Sequence, residues 1–112
     1  MSHSKVGSIY QEQGRLDAAL YAYQAGKRIM EGLAALDPAN IDWLRDLSVS
    51  HNRIGRIYQL QRKLAKAIAE YEADLKIAER LALHDPTNSL WREDLLISRI
   101  VVEKLRNPSK PK

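Results

Sequence analysis

The sequence predicts an all-α protein, a stack of antiparallel helical hairpins forming an α-solenoid of about five helices. Three observations predict it. Residues 3–50 align with residues 51–98 at an offset of 48, and 21 of the 48 pairs are identical. Internal repetition at this length marks an architecture in which each unit buries its apolar face on the next. Lys, Arg, Glu, Ala and Leu dominate the composition, with only 5 Gly, 4 Pro and no Phe, which favours helix throughout. Apolar residues also recur at steps of three and four, the period of one helical face.

The elements follow in order. A first helix is predicted near residues 2–13, ending where Gly14 can take a positive φ. A second runs near 16–36 and stops before Asp37-Pro38, because proline cannot continue a helix and restricts the residue before it. The third, near 40–61, starts on Asn40 as N-cap and carries Trp43, Leu47, His51, Ile54 and Tyr58 on one face. The fourth, near 64–84, places Leu64, Ile68, Tyr71, Leu75, Ala78 and Ala82 on its apolar face and ends at Asp85-Pro86. A fifth, near 88–106, begins a third copy of the unit, with Glu103 where the earlier copies have glycine. One domain over 1–106 is expected, with repeats at 3–50 and 51–98, and 107–112 as a disordered basic tail.

The chain has no cysteine, so disulfides and thiolate metal sites are excluded. No apolar run approaches the roughly 18 residues of a membrane span, and MSHSKVG has no signal-peptide core. A soluble, cytoplasmic protein without membrane contact is expected. The net charge is +4, but Arg106, Lys110 and Lys112 supply three of those charges near the end. The body is nearly balanced, which argues against nucleic acid as a partner. No nucleophile motif, phosphate-binding glycine loop or paired metal-ligand spacing occurs, so neither an enzyme nor a cofactor is expected. His3 and His51 are equivalent positions of successive repeats, about 10 Å apart on neighbouring helices. Each is predicted to be a packed, hydrogen-bonded histidine rather than a metal ligand.

Val6-Gly7-x-x-Tyr10, Gly14, Ala19 and Tyr23, and again Ile54-Gly55-x-x-Tyr58, Ala67 and Tyr71, resemble the tetratricopeptide repeat. Gly7, Gly55, Ala19 and Ala67 are small where two helices approach closely. His3 and His51 depart from the family's usual Trp, Arg62 replaces the turn glycine, and the closing proline arrives seven residues late. Each helix is thus longer by about two turns than in the usual unit of roughly 34 residues, and Trp43 and Trp91 fall in the added part of the first helix. The resemblance implies a right-handed solenoid whose first helices line a concave, partner-binding face.

Carried over by position, that face includes Ser4, Lys5, Ser8, Gln11, Asn52, Arg53, Arg56 and Gln59. No acid is among them, so the expected partner is a protein or peptide carrying carboxylates, with Arg53 and Arg56 pairing to them and Asn52 and Gln59 bonding the peptide backbone. The ends suggest a second role. Ile29, Met30 and Leu33 lack the cover that Trp91 and its neighbours give the next repeat, and Ile97, Ile100 and Val101 make the last helix unusually apolar for a cap. Self-association, or docking within a longer array of which this chain is a piece, is the alternative expectation.

Overall fold

A computed structural model describes residues 7, 9–11 and 13–107. Every regular element among them is helical. A helical segment at Gly7 and Ile9–Gln11 is followed by α1 (Leu16–Leu36), α2 (Ile41–Leu60), α3 (Leu64–His84) and α4 (Ser89–Arg106). Turns of three or four residues join them, and each helix packs on its neighbours in sequence. The start of α1 (Ala19, Tyr23) meets the end of α2 (Ile54, Ile57), while the start of α2 (Leu44) meets the end of α3 (Ile77, Leu81). Successive helices are therefore antiparallel. The extents are 43 × 38 × 20 Å, and the short dimension is that of two helix layers, an all-helical, solenoid-like arrangement.

The 48-residue period is also a structural period, down to single hydrogen bonds. Asn40 and Asn88, both at φ −76° and ψ 105°, cap their helices by accepting from the N–H of Trp43 and Trp91, at 3.1 Å in each case. An N-cap of this kind stabilises a helix by about 1 kcal/mol. The hairpin turns also match. Gly14 N–H donates to Gln11 O and Arg15 N–H to Tyr10 O, as Arg62 N–H does to Gln59 O and Lys63 N–H to Tyr58 O. This paired pattern closes a helix around one left-handed residue. That residue is Gly14 at φ 74° in one copy and Arg62 at φ 61° in the other.

Two glycines set the spacing inside the hairpins. A Cβ on Gly7 would lie 2.6 Å from the Tyr23 ring, and one on Gly55 would lie 3.1 Å from the Tyr71 ring. Both tyrosines then donate their hydroxyl to a glutamine 12 residues back, Tyr23 to Gln11 and Tyr71 to Gln59, at 3.1 Å in both.

The apolar face of α3 keeps Tyr71 and Ala78 of the expected one and differs at the other positions. Its buried residues are Ala67, Tyr71, Asp74, Ile77, Ala78 and Leu81. Leu64 is exposed, and Ile68, Leu75 and Ala82 are only partly covered. The physical reason is that α3 is clasped by α2 on one side and α4 on the other, so its buried stripe centres between the two contacts. Val101, expected at an open surface, packs instead beside Val102 on the Ala67 and Tyr71 cluster.

Arg62 has a Cβ in a backbone region that disfavours one by on the order of 1 kcal/mol. Arg62→Gly is expected to raise the urea midpoint by about that much in free energy at unchanged slope, and an unchanged or lowered midpoint would show that Arg62 is not strained.

Candidate functional site

The helices α2 and α4, equivalent first helices of successive repeats, flank an open groove of about 220 Å³ whose floor is α3. The apolar part of its lining is Val49 from α2, Ala78 and Leu81 from α3, and Trp91 and Ile97 from α4. Trp91 is held there from below, since its ring packs on Leu44, Ile77 and Leu81 and lies 6.2 Å from the ring of His84. Polar groups come from all three helices: Ser48, Asn52 and Arg53 from α2, Asp74 from α3, and Asp94 and Ser98 from α4.

Asp74 is the buried polar group of this groove, at 5 % exposure. One carboxylate oxygen accepts a short hydrogen bond from the Ser48 hydroxyl, and the other accepts from the Asn52 amide at 3.5 Å. Burial pushes its pKa above the ordinary value. The two hydrogen bonds and His51 pull it down, and neighbouring Asp94 pushes the same way as burial. The result is a carboxyl whose ionisation is costlier in the fold than in the unfolded chain.

Beside the groove lies a second polar cluster that ties three helices together. Glu70 of α3 receives Lys27 of α1 at 3.3 Å and His51 of α2 at 3.0 Å, both on the same oxygen. Burial of Glu70 opposes its ionisation, but the His51 and Lys27 contacts outweigh it and its pKa is lowered. His51 is thus buried and hydrogen-bonded, as the sequence predicts; His3 lies outside the described residues. Lys27 bonds across from the preceding repeat, so the cluster is an inter-repeat contact.

The residues expected on the concave face divide. Ser4, Lys5 and Ser8 lie outside the described residues. Asn52 and Arg53 line the groove. Arg53 sets its guanidinium over the Tyr23 ring, 5.7 Å from the centroid. Gln11 and Gln59 hold the tyrosine hydroxyls, which engages the Oε1 atoms that a peptide backbone would use. Arg56 is exposed and close enough to Tyr71 to favour its ionised form, although burial dominates and raises the phenol pKa. Of the expected association surface, Ile29 is 49 % exposed while its repeat equivalent Ile77 is 7 % exposed. Ile77 is covered by Leu44 and Trp91. Met30 and Leu33 are half-buried, and Ile97 and Ile100 are open at 51 % and 43 %.

Asp74 lies outside the expected face because it comes from α3, a second helix, and Asp94 because an acid repeated at position 46 is expected to be structural. A signal for Asp74 does exist: at the 48-residue offset Glu70 and Asp74 replace Ala22 and Gly26, so two acids enter positions that are small and apolar in the first copy.

The chain matches no protein-family model, no curated protein and no solved structure. Among the described residues, no helix is long and apolar enough to cross a membrane.

Because the folded pKa of Asp74 is raised, its contribution to stability is fully present below the ordinary value of 3.8 and is lost as pH rises through the folded value. Asp74→Asn keeps an acceptor for Ser48 and, with the Asn52 amide turned, a pair with Asn52. This variant is expected to melt higher than the natural chain at neutral pH, with the difference shrinking towards pH 3.8. The stabilisation from Glu70 moves oppositely, being lost as pH falls, but it cancels in the comparison. A melting difference that does not change between pH 7 and pH 4 would sink the assignment.

Proposed function

We propose that this chain is a non-catalytic protein-interaction module of the tetratricopeptide type, which holds a peptide segment of a partner protein in the groove between α2 and α4. The observation that carries this reading is the groove itself. It lies on the first helices, where the resemblance in sequence puts the binding face. Its volume of about 220 Å³ is below the roughly 300–1,000 Å³ of sites that enclose a whole small molecule. It is open along its length and suits one or two anchor side chains of an extended or helical segment. Polar groups at its edges offer hydrogen bonds to such a segment, while Trp91, Leu81 and Ile97 offer apolar surface. The buried carboxyl in the groove, Asp74, is committed to Ser48 and Asn52, an arrangement that suits structure and recognition better than proton transfer. A chain without cysteine also suits the reducing cytoplasm.

The groove carries both signs of charge, Arg53 against Asp74 and Asp94. An acidic peptide would pair with Arg53 only, so the partner's charge must be decided on the groove as a whole.

Self-association is a second reading, favoured by the exposure of Ile29 where Ile77 is covered. A second copy would seal that surface.

Two measurements separate the readings. Random heptapeptides displayed on phage are expected to yield groove binders whose affinity falls at least tenfold with Ile97→Lys, a substitution at an exposed position that leaves stability within about 0.5 kcal/mol. Failure to enrich any peptide would defeat the first reading. Light scattering after gel filtration is expected to show a monomer across concentrations; a dimer that Ile29→Lys dissociates would establish the second reading instead.

A further inference from the structure

The groove is chemically ordered along its length. Since α2 and α4 are equivalent helices 48 residues apart, their residues share levels: Asp94 stands level with position 46 and Ile97 with Val49. Arg53 is seven residues beyond the Asp94 level, about 10 Å at 1.5 Å per residue. Leu81 and Trp91 lie at the Leu44 end, the Asp94 level and then Val49 with Ile97 follow, Asp74 sits between its partners Ser48 and Asn52, and Arg53 marks the far end.

We propose that the groove recognises a lysine or arginine side chain of its partner peptide, with the aliphatic stem on Trp91 and Leu81 and the charged head between Asp94 and Asp74. This rests on the peptide-binding reading and specifies the anchor. Three observations converge on it. Asp94 is exposed, and among the described residues no cation pairs with it. Asp94 and Asp74 line the same groove and Asp94 opposes the ionisation of Asp74, so a cation between them relieves their repulsion. The surface leading to the carboxyls is apolar, which matches a side chain that is hydrocarbon along its stem and charged at its tip. The Trp91 ring adds a face to which a cation is attracted. The groove's own cation is held elsewhere, because the Arg53 guanidinium lies over Tyr23, a turn or more from the Asp94 level.

Acidic and purely apolar anchors are the competing occupants. An acid would meet two carboxyls in the middle of the groove. An aliphatic anchor would cover Trp91 and Leu81 but bury Asp94 without a partner, which costs more than leaving it in water.

The test selects random heptapeptides on the natural chain and then measures the best one by calorimetry. The selected sequences are expected to share a lysine or arginine at one position. Replacing that residue by norleucine should weaken binding at least tenfold to the natural chain but less than threefold to Asp94→Asn, whose exposed site leaves the fold intact. Peptides that lose binding to Ile97→Lys yet share no basic position would overturn the inference while leaving the peptide-binding reading in place. An equal loss with norleucine in both chains would do the same. A selection that enriches nothing would overturn both.

Discussion

The spacing of the helices rests on two tyrosine rings lying against backbone that has no Cβ. Tyr23 faces Gly7 and Tyr71 faces Gly55, and an added methyl carbon would press into either ring. With the rings in place, their hydroxyls reach Gln11 and Gln59, which ties the two helices of a hairpin by a polar bond at the edge of an apolar contact. Each ring also belongs to the next unit. Tyr23 packs with Ile54 and Ile57, and Tyr71 packs with Val102. One side chain per repeat thus sets both the spacing within a hairpin and the seat of the following one. Core packing of this kind is intolerant of added volume, at about 1–3 kcal/mol for an overpacked site.

On that frame the two repeats diverge in one layer. The first copy places Ala22 and Gly26 where the second places Glu70 and Asp74. Both acids point toward α2, where they meet His51, Ser48 and Asn52. Burying two carboxyls between helices costs desolvation that a methyl group would not incur, and the pKa of Asp74 registers that cost directly. The arrangement is tolerable because each carboxyl has two partners. Its by-product is a groove whose floor carries a carboxyl, Asp74, beside the apolar Ala78 and Leu81, which a packed Leu or Ala layer would not produce.

Much of this was legible in the residues. The repeat, the bounds of α1 to α4 to within one residue, the Asn40 cap, the positive φ at position 14 and the hydrogen-bonded His51 all follow from local rules that a 48-residue offset states twice. The phase of the α3 stripe was not legible, since Leu64 and Ala67 both fit a helical period and only the clasp by α2 and α4 decides between them. Val101 was misplaced for a related reason: an apolar residue on a terminal helix reads as uncovered, whereas it occupies the position of Arg53 and, like Arg53 beside Tyr23, lies beside a repeat tyrosine. The sign of the groove depends on side chains from three helices, Arg53, Asp74 and Asp94, and no stripe on one helix contains that information.

The bond from Lys27 to Glu70 has a consequence for how such units can be strung together. It joins a base on one repeat to an acid on the following repeat, and the equivalent positions, Leu75 and Ala22, carry neither charge. The two units are therefore keyed like a plug and a socket. The reversed order would face Leu75 with Ala22 and leave Lys27 and Glu70 at opposite, unmatched ends. An array copied from either repeat alone would keep its glycine and tyrosine joints and lose the key that tells first from second.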